Sequence, residues 1–191
     1  MTKIMMLTYG QFVRPSVASG TARLVTELSK LEGVEMFFVF PYNKYGIIPI
    51  DNSKIKVENF VEYRLRDPRN ILSLYRIRNI IKKHKPDILH IQVGHAWLSF
   101  LLPFIDTKIV LTIHDATPHS GEEKLQTIFS TKASINYSQA VIVHGKQQKE
   151  SLKMTYNLED SKVFINSWGS TIIDDSKRPN LVFYPEIFDY R

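Results

Sequence analysis

The sequence predicts one α/β domain, built on a mainly parallel sheet with helices on both faces. Short apolar, β-branched runs alternate with longer segments of helical period along the chain. Several of those runs, Ile109-Val110-Leu111-Thr112-Ile113 among them, lack alternation, as strands covered on both faces do. A length of 191 residues suffices for one good core and falls short of two ordinary domains.

Strands are predicted near 3–9, 34–40, 55–60, 87–92, 108–114, 139–144 and 162–166, and helices near 19–32, 69–84, 95–105, 122–136 and 146–155. In the first helix Ala22, Val25, Leu28 and Leu31 recur at helical spacing, and Gly33 is a stop before Val34–Phe40. Pro, Asn, Gly and Asp make 41–54 a loop. Asp67-Pro68 supplies an N-cap and a proline at the first helical position. Ile71, Leu74, Ile77 and Ile81 mark that helix's apolar face, Pro86 ends it, and Ile88–Ile91 begins the next strand. The run Ala96–Ile105 is apolar nearly all round, which fits a buried helix better than one touching a membrane. Ser, Gly, Asp, Lys and Pro make a linker up to Pro179, and Leu181–Tyr184 reads as one more strand. No internal repeat or low-complexity segment interrupts the chain.

Composition narrows the function classes. An apolar content of 43% with 12% aromatics belongs to a packed protein and excludes a disordered one. The absence of cysteine excludes disulfides and thiolate metal sites and suits a reducing, cytoplasmic setting. The apolar run at the N-terminus is too short for a signal peptide, and no stretch reaches the roughly 18–20 apolar residues of a spanning helix, so a soluble or peripheral protein is expected. The net charge of +6 is a patch: between Arg64 and Lys85, eight arginines and lysines stand against Asp67 alone. Solvated surface or an anionic membrane face would both account for it. Few aromatics interleave with these charges, so no nucleic-acid partner is expected.

Ligands of open parallel sheets bind beyond the carboxyl ends of the strands, and polar residues gather there. Tyr9 and Gly10 follow the first strand; Gln92, Gly94 and His95 the fourth; His114 and Asp115 the fifth; His144, Gly145 and Lys146 the sixth. A histidine at a strand end serves as a neutral hydrogen-bond partner or a proton carrier, because it titrates near neutrality. His114 is accordingly the candidate ligand contact, with His119 beside it; otherwise Asp115 caps the following turn and His119 is an ordinary loop residue. His114, Asp115 and His119 have metal-ligand side chains, but the HExxH spacing is absent and no further ligand is evident, so no metal is expected. Neither GxGxxG nor GxxxxGK[ST] occurs in 10–20, and no cofactor is expected. Gly20 at a helix start would let backbone approach an anion, or would simply begin the helix. His90, inside a strand, reads as a core histidine with a partner.

Taken in order, four segments resemble the N-terminal domain of family-4-like GT-B glycosyltransferases. Gly20-Thr21-Ala22-Arg23-Leu24-Val25-Thr26-Glu27-Leu28 resembles their glycine-rich first turn and helix, with Ser19 where a second glycine is usual. Lys85-Pro86-Asp87-Ile88-Leu89-His90-Ile91-Gln92 is similar to the strand opening their middle section. Thr112-Ile113-His114-Asp115 with Pro118-His119 is similar to their fifth-strand motif, and Ala140–Gly145 with Lys149-Glu150-Ser151-Leu152 to their sixth strand and helix.

The resemblance implies a single Rossmann-like domain over 1–170, the N-terminal half of a GT-B fold, and a linker with the start of a C-terminal domain over 171–191. It implies that the N-terminal domain holds the acceptor, that Gly20 lies near the donor diphosphate, that catalytic His114 lies near the transferred sugar, and that no metal is needed. The expected activity is transfer from a nucleotide sugar to a glycan or lipid-linked acceptor. The chain departs from the family at Ser167-Trp168-Gly169, where Pro-His-Gly is usual, and at Glu186, where an arginine would face the diphosphate. The donor domain is expected to be lacking, so the nucleotide sugar would bind only with a supplied donor domain, and this chain alone would be inactive. The alternative is a non-catalytic binding subunit or a degenerate remnant. Self-association or a partner chain through strand 181–184 is also expected.

Overall fold

The computed structural model describes residues 1–9, 15–42, 54–93, 95–114 and 125–166. Their chain order is β1 (Thr2–Thr8), α1 (Pro15–Ser29), β2 (Val34–Pro41), β3 (Ile55–Phe60), α2 (Asn70–His84), β4 (Ile88–Val93), β5 (Lys108–Thr112), α3 (Leu125–Tyr137), β6 (Ala140–Val143), α4 (Lys146–Tyr156) and β7 (Val163–Ile165). The seven strands form one sheet in the order β3-β2-β1-β4-β5-β6-β7, and every pair is parallel. The order reverses direction between β1 and β4, where Ile4 lies opposite Ile88 and Met6 opposite His90.

Side-chain alternation divides the core in two. Met6, Met36, Phe38, Phe40 and Ile55 pack with Val25 of α1 on one face. Met5, Leu7, Phe37, Val39, Leu89, Ile91, Leu111 and Val141 pack on the other with α2, α3 and α4 through Leu74, Ile77, Ile135 and Leu152. Phe37 and Phe38 are both sealed, as a strand with helices on either side requires.

All seven strands expected within 1–166 form, each within one or two residues of its predicted bounds at most positions. Helix bounds depart more. The first helix begins at Pro15, so Gly20 lies inside it rather than at its start. In α2 the buried set is Asn70, Ser73, Leu74, Ile77, Ile80 and Ile81, and Ile71 is exposed. Asp67 acts earlier than a helix N-cap: its Oδ1 accepts from Arg69 N–H at 2.9 Å and its carbonyl from Asn70 N–H at 3.1 Å, and the helix starts only at Asn70. The helix predicted over 95–105 is two short 3₁₀ turns, Ala96–Phe100 and Leu102–Phe104. Pro103 has no N–H to bond four residues back, which breaks α-helical continuity there. Leu98, Leu101 and Leu102 are buried while Phe100 and Phe104 face solvent, so the segment is only partly core. Gly33 at φ +75° turns the chain into β2, and Lys85 at φ +47° closes α2 with its N–H on Ile81 C=O at 2.8 Å. The predicted strand 181–184 lies outside the described residues.

Candidate functional site

At the carboxyl end of β1 the chain places Tyr9 under the site. It is fully buried, its hydroxyl donates to Asn70 Oδ1 at 2.8 Å, and its ring stacks on His95 with centroids 4.2 Å apart. Burial pushes the Tyr9 phenol up to about 12, so it keeps its proton. Burial also pulls His95 down to about 4, and the neutral ring accepts Trp97 N–H on Nδ1 at 3.3 Å. Trp97 Nε1–H in turn reaches Leu65 C=O at 2.7 Å. Tyr9 and His95 therefore form an uncharged floor.

The next strand ends are joined by histidines. His114 Nε2 meets Gln92 C=O at 3.1 Å, His144 Nδ1 meets Asn166 C=O at 3.0 Å, and His144 Nε2 meets His114 Nδ1 at 3.2 Å. Gln148 of α4 accepts His144 N–H at 2.9 Å and donates to His114 C=O at 2.8 Å. These bonds tie together the ends of β4, β5 and β6 and the residue after β7. His90 is the expected core histidine: it is buried, bonded to Thr112 Oγ1 at 2.8 Å, and held down to about 4 by burial and, secondarily, by His114.

Among the described residues three buried oxygens, Thr8 Oγ1 and Gln92 Oε1 at the ends of β1 and β4 and Thr21 Oγ1 within α1, have no hydrogen-bond partner. Thr8 closes β1, and Gln92 is the extra residue where the β1–β4 register shifts between Leu7 and Thr8. Bulges of this kind re-aim side chains beside functional sites. Buried polar groups are almost always paired, and unpaired ones are met by water, an ion or a ligand. Thr8 and Gln92 stand at the reversal between β1 and β4, where ligands of such sheets bind.

The structure thus brings together His114 and His144, with Gly145 at the N-cap of α4 and the exposed Lys146 as its first residue. His95 stands apart from that pair, on Tyr9. Gly20, six residues into α1, is too deep to be among the free amides of a helix N-terminus. Gly10, Asp115 and His119 lie outside the described residues. Sequence reasoning overlooked Gln148, which sits in the first turn of α4 and reaches back past the N-cap Gly145 to His144 N–H. No sequence signal marked Thr8, Thr21 or Asn70. Among the described residues no group of three or more His, Asp or Glu could hold a metal ion, and no helix is long and apolar enough to cross a membrane.

Comparison with known proteins agrees with this architecture. The sequence model of Glycosyltransferase Family 4 matches residues 17–167. No curated protein matches the chain. Among solved structures, UDP-N-acetylglucosamine 2-epimerase from Rickettsia bellii is similar with a TM-score of 0.63 and 15% identity, over 87% of this chain and 45% of that one. UDP-GlcNAc 2-epimerase from Neisseria meningitidis, bound to UDP-GlcNAc, gives 0.63 and 11%, over 86% and 46%. A glycosyltransferase from Rickettsia africae ESF-5 gives 0.60 and 20%, over 87% and 42%. Likeness at these identities is likeness of fold, and the chain spans less than half the length of each.

Proposed function

The chain belongs to Glycosyltransferase Family 4, and from that membership we propose that it forms the acceptor-side half of a sugar transferase. In this proposal the rim at the ends of β1, β4, β5 and β6 receives a glycan or lipid-linked acceptor, with His114 at the transferred sugar. The nucleotide sugar is held chiefly by a second, donor domain. The observation that carries the proposal is the pair of unpaired buried oxygens at the strand ends, Thr8 Oγ1 and Gln92 Oε1, because a hydroxyl-rich ligand supplies both donors and acceptors to such groups.

Titration of the 191-residue chain with short-chain lipid-linked sugars and with nucleoside diphosphates tests it. Acceptor binding is expected, weakened about tenfold or more by Gln92→Leu, which removes the polar tip at similar size. Tight nucleoside-diphosphate binding without any acceptor binding would overturn the assignment.

The same proposal extends to where an acceptor in a bilayer would be met. Ile71, Leu72 and Tyr75 of α2 are 58–65% exposed, and Arg78, Lys82, Lys85 and Lys108 line a groove of about 450 Å³ with Phe104, Asp87 and Asp106. Arg76 and Lys83 are taken up by Glu58, so the outward basic charge is smaller than the sequence count. Exposed apolar side chains next to uncommitted cations suit an anionic bilayer.

A further inference from the structure

The groove of about 450 Å³ lies at the amino ends of β4 and β5, so the length of β4, roughly 20 Å, separates it from the histidine rim. Arg78, Lys82 and Lys85 line it from the end of α2 and Lys108 from the start of β5, against the carboxylates of Asp87 and Asp106. Asp87 is already engaged: its Oδ2 accepts Lys3 N–H at 2.8 Å, and its own N–H bonds Lys3 C=O at 2.9 Å. Arg76 and Lys83 of the same helix are satisfied by Glu58. Among the described residues, the side chains of Arg78, Lys82, Lys85 and Lys108 make no hydrogen bond or ion pair. The negative pole at the end of α2 suits Lys82, but it accounts neither for Arg78, farther back along the helix, nor for Lys108 on another element.

Lys85 supplies a second observation. It follows the last turn of α2 at φ +47° and ψ +63°, the left-handed conformation that glycine takes at helix ends without steric cost. A residue with a β-carbon is strained there, and such strain is characteristic of positions held for function.

We propose that this groove is a phosphate site, taking a diphosphate or phosphomonoester among Arg78, Lys82, Lys85 and Lys108, with the ligand's apolar part against Phe104. Several acceptor oxygens on one doubly charged group answer cations that a single carboxylate would leave unmatched. Phe104 lines the groove and is 69% exposed, so an apolar remainder has a surface to cover. A free diphosphate and a lipid head group share this chemistry. The site does not depend on the transferase reading, since it stands at the opposite end of the sheet.

Titration of the full chain with inorganic pyrophosphate at about 0.15 M salt, followed by backbone amide NMR, tests the proposal. Exposed ion pairs are individually weak, so saturable binding with a Kd of about 0.1–1 mM is expected, the amides of Lys82, Lys85, Asp87 and Lys108 shifting most. Lys85→Gly should weaken binding about threefold or more yet melt no lower than the wild type, because glycine relieves the left-handed strain. Adding Lys108→Gln should bring the loss to about tenfold. Arg66→Gln removes an exposed charge of the same basic stretch outside the groove and should leave binding unchanged. Equal losses in Arg66→Gln and Lys85→Gly would overturn the proposal. So would shifts confined to rim amides such as His144 and Gly145, or no saturation by about 10 mM. Acceptor binding is read from those rim amides, so the two proposals fail separately. Monomeric dihexanoyl phosphatidic acid distinguishes the sources: binding tighter than pyrophosphate supports the site as one for a lipid head group, and weaker binding supports it as one for a free diphosphate.

Discussion

Asn70 lies in the most basic stretch of the sequence and is completely buried. Its Oδ1 accepts from Tyr9 O–H at 2.8 Å and Tyr63 N–H at 3.3 Å, while its Nδ2 donates to the carbonyls of Arg64 and Asp67 at 2.9 and 3.0 Å. Asn70→Ala leaves the buried Tyr9 hydroxyl without an acceptor, and a loss of about 1–3 kcal/mol is expected in denaturant unfolding. No sequence pattern announced this residue, because its main partner is 61 positions away. The histidines were different. Their place on the rim followed from the strand ends alone, whereas the contact between His114 and His144 depends on the register of β5 against β6, which periodicity does not specify.

At the scale of elements, strands were legible and helix ends were not. Runs such as Ile88–Val93 and Ala140–Val143 are bounded by turn residues and rich in branched side chains, so their limits are written locally. The start of α2 is decided by tertiary contacts: Asn70 turns toward Tyr9, and Ile71 is thereby turned out. The segment 95–105 has the composition of a helix but carries Pro103, and it takes two 3₁₀ turns. Packing of α2 on β3 also carries a pH dependence. The Lys83 ammonium, then His84, with Arg76 adding to them, hold the Glu58 carboxyl below its ordinary range. A carboxyl depressed in the folded state stabilises above its unfolded value, and that contribution is lost as pH falls through the folded one. Glu58→Gln should therefore cost about 0.5–1 kcal/mol at pH 7, since solvent screens much of the interaction. Thermal melts of the two proteins should converge as the solution is acidified below the carboxylate range.

For the whole molecule, the basic patch was visible as a count, but its apolar companions were not. Ile71 was expected in the core, and only the observed rotation of α2 sets it beside Tyr75 on the surface. Flotation with anionic vesicles should exceed that with neutral ones and decline with salt. Ile71→Ser together with Tyr75→Ser should reduce recovery at every salt concentration; equal recovery on both vesicle types would make α2 ordinary solvated surface. The reversal between β1 and β4 bears on how the chain is made as well as on where ligands bind. β1 acquires one neighbour from β2 after a single helix, but the other edge waits for Ile88, 84 positions after Ile4. Closing so long a loop adds little to the equilibrium penalty, which grows only logarithmically, but distant pairings slow folding. At about 5–20 residues per second, a nascent chain carries that edge unpaired for roughly 4–17 s. For that interval Met5, Met6 and Leu7 lie on a strand edge open to pairing with whatever else is in reach, so a ribosome-bound chain ending before Ile88 should aggregate more readily once released than one ending after Val93.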